Sequence, residues 1–323
     1  MISKMLHKNY NFILSTFPKT TAYCFAYGSG VKKQTGYDEA ALQNSLIDLM
    51  FCVDDPLVWH TENLSRNPSH YSGVKVLGSR LISTIQREFG AKVYCNTLVR
   101  LENGAAIKYG VIATDDLVAD LTDWTHLYLA GRLHKPVETL ISANPLIHQA
   151  IEQNFRNALC TALLLLPSKF TFFDLFYTIA NLSYSGDFRM IFGENKDKVR
   201  NIVQPQLQAF CDLYAPVLKE YSTCVQVPSS LDGFLHQNNA EDVVIGHLRG
   251  LPRSVQSRLV DPKKDDAFNE LAKDLELRTK LAKCVAGIVW NSSVTQSLKN
   301  IPTAGISKAL RYSWKKALKT FSK

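Results

Sequence analysis

The 323-residue chain is 46% hydrophobic and carries seven cysteines, 37 Lys and Arg and 29 Asp and Glu, for a formal net charge of +8. Its length accommodates two domains, and no apolar run reaches the roughly 18–20 residues that span a bilayer, the leucine run Ala162 to Leu166 stopping at Pro167. The odd number of cysteines and the absence of any C-x-x-C pair exclude a disulfide framework or a zinc site as the simple reading and point to a reducing compartment.

Residues 2–17 space Ile2, Leu6, Tyr10, Ile13, Leu14 and Phe17 at helical intervals before Pro18. No acid occurs before Asp38, so this segment reads either as a first helix of the fold or as a mitochondrial presequence. Strands are expected at Ala22–Tyr27, Leu46–Val53, Lys92–Arg100 and Ala105–Ile112, the last two joined by a hairpin at Asn103-Gly104. A helix from Val74 to Phe89, closed by Gly90, lies between the second and third strands. From Pro145 to about Tyr221 the pattern turns helical (147–166, 172–182, 199–214), and residues 228–265 read as a surface excursion. The expected organisation is an α/β domain over 1–138, a mainly helical domain over 139–227, and a C-terminal region over 228–323.

Gly28-Ser29-Gly30 sits between the first two strands. Such a turn lets backbone N–H groups approach a phosphate, and a carboxylate on the next strand, Asp48, suits the Mg²⁺ that accompanies a nucleoside triphosphate. The stretch fits neither the P-loop nor the dinucleotide pattern. Alternation puts Asp48 on one strand face with Leu46, Met50 and Cys52, where an ionised carboxylate needs a cation or hydrogen bonds. Position 50 is Met, so a second metal ligand must come from elsewhere, and Asp120 is the candidate, with a solvated helix carboxylate as the alternative. Lys108, a cation inside the fourth strand, calls for a partner: Asp48 in a salt bridge, or a triphosphate. In Ser183-Tyr-Ser-Gly-Asp-Phe-Arg-Met190, Arg189 suits phosphates and Tyr184 suits stacking on a base, the alternative being a surface pair of Asp187 with Arg189. Arg132 and Lys135 near the domain junction carry the same ambiguity. His60 and His70 flank a Ser/Asn-rich loop and read as polar loop residues.

The charge is unevenly placed. After Glu276 there are ten basic residues and no acid, whereas the first 276 residues hold 27 basic and 29 acidic side chains, a net of −2. A near-neutral body does not suit tracking along nucleic acid, so no nucleic-acid partner is expected. Residues 306–323 place Ile306, Leu310, Trp314, Ala317 and Phe321 three or four apart among Lys308, Arg311, Lys315, Lys316 and Lys319. A basic amphipathic helix of this kind suits an anionic membrane surface, with Leu310, Trp314, Lys315, Lys316 and Phe321 in contact.

Taken together, Phe25-Ala-Tyr-Gly-Ser-Gly-Val31, Ile47-Asp-Leu, Val53-Asp-Asp-Pro-Leu-Val-Trp-His60, Ser69-His-Tyr-Ser72, Ile107-Lys-Tyr-Gly-Val111, Ala130-Gly-Arg-Leu-His-Lys-Pro136 and Leu182-Ser-Tyr-Ser-Gly-Asp-Phe-Arg-Met190 resemble the mitochondrial phosphatidate cytidylyltransferases, over roughly residues 20–215. The resemblance implies a polymerase-β-like nucleotidyltransferase domain followed by a winged-helix-like domain. It implies transfer of CMP from CTP to phosphatidic acid with Mg²⁺, giving CDP-diacylglycerol and pyrophosphate, at the matrix face of the inner membrane as a peripheral protein. By carry-over, Gly28, Ser29 and Gly30 cradle the triphosphate, Asp48 holds Mg²⁺, and Lys108 with Tyr184, Ser185, Asp187 and Arg189 lines the nucleotide site. Asp48 and Lys108 are the expected catalytic pair. The alternative function is a non-catalytic membrane-associated factor for mitochondrial protein import assembly.

Overall fold

In the computed structural model, residues 10–31, 46–192, 195–260 and 266–304 are described. Helix α1 (Tyr10–Ser15) leads into strand β1 (Tyr23–Tyr27), which pairs antiparallel with β2 (Ile47–Val53). Asp55 caps helix α2 (Pro56–Arg66), its carboxylate accepting from the N–H groups of Leu57 and Val58 at 2.8 and 3.1 Å. The single helix expected over Val74–Phe89 divides into a 3-10 turn, Gly73–Leu77, and α3 (Gly78–Glu88). The break falls at Gly78, whose φ of +81° no continuous helix accommodates. Strands β3 (Tyr94–Arg100) and β4 (Ala106–Ala113) form the expected antiparallel hairpin, with Gly104 at φ +81° in its turn. Helices α4 (Thr114–Asp123) and α5 (Ala130–Leu133) follow, and then β5 (Glu138–Ile141), a strand with no expectation from the pattern, pairs with the free edge of β1. The sheet order is β3-β4-β2-β1-β5, with β2 and β4 parallel and every other pair antiparallel.

The second half is built on α6 (Pro145–Leu165), capped by Asn144 and buried along most of its length. Around it lie β6 (Lys169–Thr171), α7 (Phe172–Asn181), α8 (Arg189–Phe192), α9 (Lys198–Val203), α10 (Leu207–Glu220), β7 (Val225–Gln226) and β8 (Phe234–Gln237). The three short strands make a second antiparallel sheet, β6-β8-β7. The chain ends its described course with α11 (Glu241–Arg249), α12 (Arg253–Leu259), α13 (Ala267–Ala272) and the 28-residue α14 (Leu277–Ala304). Residues 228–265 are therefore not a surface excursion. Leu235, Leu248, Leu251 and Val255 are buried in the main core, and the Pro, Gly and Asn between them serve as turns joining packed elements. The sheets also run past the expected boundaries, since β5 straddles residue 138 and β8 lies beyond 227. The amphipathic segment 306–323, with Leu310, Trp314, Lys315, Lys316 and Phe321, lies outside the described residues, as do residues 1–9.

Period-two alternation decides which side chains of the large sheet meet which layer. Ile47, Leu49, Phe51 and Val53 pack with Ile13, Phe17, Trp59 and Tyr109 on one face. Met50 and Cys52, with Tyr23 and Phe25, pack on the other, against a continuous core that includes α4, α6 and α7. Phe17 lies 4.6 Å from the Phe51 ring and 6.3 Å from that of Trp59, all three fully buried, and burial of each such side chain contributes about 1.5–3 kcal/mol. Helix α14 covers the β3 edge. Gln296 donates to the Val93 carbonyl at 2.9 Å and accepts from the Ala91 N–H at 2.9 Å, and Lys299 donates to the Phe89 carbonyl at 2.6 Å. These bonds occupy backbone groups at the start of an edge strand that open pairing leaves exposed. Among the described residues no helix is long and apolar enough to cross a membrane.

His60 and His70 are not loop residues. His60 sits on α2 with no exposure, bonded through Nδ1 to the Tyr71 hydroxyl and through Nε2 to Gln86 Oε1, both at 2.8 Å, and His70 Nδ1 lies 3.2 Å from the Tyr109 hydroxyl. Burial holds His60 down to about 4 from the ordinary 6.5, and burial with the neighbouring Lys135 charge holds His134 down to about 3. Both are neutral in the fold, so below pH 6.5 the unfolded chain takes up protons that the fold refuses. Stability is thus intact above about pH 6.5 and falls on acidification to about pH 4, by about 1.4 kcal/mol per pH unit for each histidine. Urea denaturation at pH 7 and pH 5 measures the slope, and His60→Gln reduces it.

Candidate active site

The β1–β2 connection begins with a tight turn in which the Val31 N–H donates to the Gly28 carbonyl at 3.1 Å. Gly28 has φ +83°, and a Cβ placed there would stand 3.2 Å from Asp48 Oδ2. Glycine therefore does two things at once: it permits the left-handed backbone and leaves room for the carboxylate beside the turn. Tyr27 is the cross-strand partner of Asp48, and Lys108 is its partner on the parallel side, so all three side chains share one face. Lys108 Nζ is 3.7 Å from Asp48 Oδ1, with both side chains about a quarter exposed. The salt bridge anticipated for Lys108 is present, at a separation and exposure that leave both groups accessible to a bound anion and its counterion.

A second group of cations gathers around Arg132, which meets the Tyr27 ring opposite Asp48. The Arg132 guanidinium lies 3.9 Å from the Tyr128 ring centroid and 5.3 Å from that of Tyr27, and its Nε is buried without a hydrogen-bond partner. Lys135 donates to the Gly131 carbonyl and, at 3.2 Å, to Ser183 Oγ, with its ammonium 5.2 Å from the Tyr184 ring. Burial, reinforced by the charges of Arg132 and Lys198, draws its pKa down to about 7. Arg189 is within electrostatic reach of Arg132 and Tyr128 and stays cationic, because Asp187 holds it. Like charges assembled in a half-buried site are costly, and an anion relieves that cost.

The segment carrying Arg132 and Lys135 is fixed from several sides, and Asp120 is chief among its supports. Asp120 is not a solvated carboxylate, and the backbone N–H groups that engage both its oxygens give it an occupation other than the metal-ligand role expected of it. It is 2% exposed and accepts from the backbone N–H groups of His126, Tyr128, Leu129 and Ala130 at 2.9, 3.0, 2.7 and 3.1 Å. Four donors satisfy both oxygens, so its role is to position the 126–130 loop. Asn154 on α6 accepts from Trp124 Nε1 at 2.9 Å and donates to the Ala130 carbonyl at 3.0 Å, and the Tyr214 hydroxyl donates to the His134 carbonyl at 3.1 Å. Asp120→Ala leaves buried N–H groups unsatisfied, so a loss of about 2–4 kcal/mol in stability is expected, with a weakened grip on anionic ligand. Denaturant unfolding beside nucleotide titration measures both.

The Ser183–Met190 turn divides between roles. Asp187 and Arg189 pair as the alternative reading anticipated, with Arg189 Nε 2.9 Å from Asp187 Oδ1, but not at the surface, since Asp187 is 5% exposed. Asp187 thus orients Arg189 and is not itself open to a ligand. Tyr184 lies at Lys135, near the cations. Ser185 bonds back to the Leu182 carbonyl and lines a small cavity with residues of α7 and α14, a lining that does not include Asp48. Tyr27 and Tyr128 escaped the sequence reading. Tyr27 had a signal in principle, because an antiparallel pairing that joins Gly28 to the second strand sets it opposite Asp48.

Among the described residues no cluster of three or more His, Cys, Asp or Glu exists that could enclose a metal by itself. A lone partly exposed carboxylate fits Mg²⁺, which is typically bound by one or two carboxylates together with substrate phosphates and waters.

A family profile described as mitochondrial phosphatidate cytidylyltransferase matches residues 10–319. The chain belongs to that family. A relative of that name from Drosophila melanogaster is 48% identical over 97% of this chain and 98% of its own length, and one from Danio rerio is 43% identical over 96% and 94%. A Schizosaccharomyces pombe relative is 37% identical over 97% of this chain and 84% of its own. The similarity extends well beyond the 20–215 span in which the motifs were recognised, and family membership makes the chain a nucleotidyltransferase enzyme rather than a non-catalytic assembly factor.

Proposed function

We infer that CTP binds with its triphosphate at the Gly28–Gly30 turn, between Asp48 and the cations Lys108, Arg132, Lys135 and Arg189. The family's reaction, which this chain carries out, moves CMP from CTP to phosphatidate and yields CDP-diacylglycerol and pyrophosphate. The convergence of Asp48, Lys108, Tyr27 and Arg132 on one face carries the site assignment. Asp48 would hold Mg²⁺, which would supply neutralisation of phosphate charge when bound.

The phosphatidate phosphate is already an anionic nucleophile. One of its oxygens attacks the α-phosphorus, the bond from that phosphorus to the bridging oxygen of the β-phosphate breaks, and pyrophosphate leaves with the electron pair. The chain's own contribution is positioning and charge: Lys108, Arg132 and Arg189 hold oxygens whose charge redistributes in the transition state, and Tyr184 packs on the base. The strand–Gly-Ser turn–acidic strand order supports a polymerase-β-like first domain. The order α6, β6, α7, α8, α9, α10, β7, β8, with its three-stranded sheet, supports a winged-helix-like second unit.

Residues 306–323 anchor the enzyme on the matrix face of the inner membrane, each basic residue near an anionic surface contributing about 1 kcal/mol. Release of pyrophosphate from CTP, with and without phosphatidate vesicles, tests the reaction. Deleting 306–323 is expected to lower activity on vesicles far more than on a soluble short-chain phosphatidate, and equal losses on both would remove the anchor.

A further inference from the structure

A cavity of about 580 Å³ opens between the segment after α5, helix α6 and helix α10. Its walls are Leu133, Val137, Ile151, Phe155 and Leu213, and Tyr23 and Lys135 also line it. Its charged lining residues other than Lys135, His148 and Asp212, are exposed and mark the rim. The volume is that of a small-molecule site, and apolar walls with one convergent cation are the usual chemistry of one. Nothing in CTP suits such walls, because base, ribose and triphosphate are all polar.

A row of aromatic rings on one face of β1 runs between the cavity and the reaction centre. The rings of Tyr23, Phe25 and Tyr27 follow one another at 5.4 and 5.9 Å, from the cavity to the residue before Gly28 and opposite Asp48. Four residues of strand separate Tyr23 from Tyr27, about 13 Å. One acyl chain is half the roughly 30 Å hydrocarbon core of a bilayer, about 15 Å. Lys135 belongs to both places: it lines the cavity, while its ammonium lies by Tyr184 and within electrostatic reach of Arg132.

We propose that this cavity receives an acyl chain of phosphatidate, with Lys135 at the junction facing the lipid phosphate where it meets the nucleotide. The proposal rests on the placement of CTP at the glycine turn. It makes Ile151 and Leu213 determinants of chain-length preference, since each methylene that enters the cavity improves binding about fourfold.

The test fills the cavity with Ile151→Trp and, separately, Leu213→Trp in the full chain, and compares dioctanoyl with dibutyryl phosphatidate below their aggregation concentrations. The expected result is a KM for dioctanoyl phosphatidate raised at least tenfold, with the dibutyryl KM and the CTP KM unchanged. Ile151→Ala and Leu213→Ala, which widen the cavity, serve where a Trp variant does not fold, and are expected to shift preference toward longer chains. Calorimetric binding of CTP with Mg²⁺, without lipid, runs in parallel. Intact CTP binding with an unshifted dioctanoyl KM in folded variants overturns the acyl cavity alone, whereas absence of CTP binding in the unaltered protein overturns the nucleotide placement beneath it.

Discussion

Asp48→Asn is expected to lower turnover by about 10³-fold or more while leaving the fold intact. The substitution is isosteric and removes one negative charge from the proposed meeting place of Mg²⁺ and the triphosphate. The loss would fall on the chemical step, because a weaker hold on Mg²⁺ would leave phosphate charge less neutralised as it redistributes in the transition state. Stability changes little for a separate reason: the Asp48–Lys108 pair is 3.7 Å apart and about a quarter exposed, so after solvent screening it contributes about 1 kcal/mol or less. Pyrophosphate release measures the first quantity and thermal unfolding the second. Near-normal turnover in a folded Asp48→Asn variant would remove Asp48 from the reaction.

Gly186→Ala is the substitution with the largest expected structural effect, a loss of about 3 kcal/mol and a Tm lowered by about 6–12 °C. Gly186 has φ +91°, which an alanine adopts only under strain, and a Cβ there would run into the Ala286 carbonyl oxygen and stand 2.8 Å from its carbonyl carbon. The obstacle is backbone in the middle of α14, a helix held to the β3 edge by Gln296 and Lys299, so it cannot step aside cheaply. Shrinking the facing side chain with Ala286→Gly therefore gives no rescue. Activity falls with stability, because the displaced turn is the one that carries Asp187 and Arg189. Gly131→Ala supplies the contrast. Its Cβ would collide with the side chain of Ser183, so Ser183→Gly is expected to recover much of the loss. Rescue of Gly186→Ala by Ala286→Gly, seen in thermal melts, would contradict the backbone clash.

How far the site was legible follows from the range of each interaction. Gly28, Asp48 and Lys108 could be found because period-two alternation and one turn relate residues that are neighbours on adjacent strands, and those regularities are written locally. The helices 147–166 and 172–182 were legible for the same reason. Asp120 was misread because its partners are backbone N–H groups six to ten residues further on, and the curl of a loop around a carboxylate leaves no trace in side-chain pattern. His60 was misread because Tyr71 and Gln86 enclose it only when α2, the segment after it and α3 come together. Strand β5, four residues long, became a strand because β1 had a free edge to fill.

The amino-acid order by itself pointed to Asp48, the turn beside it, the basic tail and the family, since each depends on residue chemistry at short spacing. Only the tertiary structure decided that Arg132 meets Tyr27 opposite Asp48 with Lys135 and Arg189 near Arg132, and that residues 228–259 pack into the core. It alone showed that α14 braces both the β3 edge and the Arg189 turn. Those outcomes rest on contacts between segments far apart in the chain, whose energies come from burial and from hydrogen bonds that exist only once the layers close.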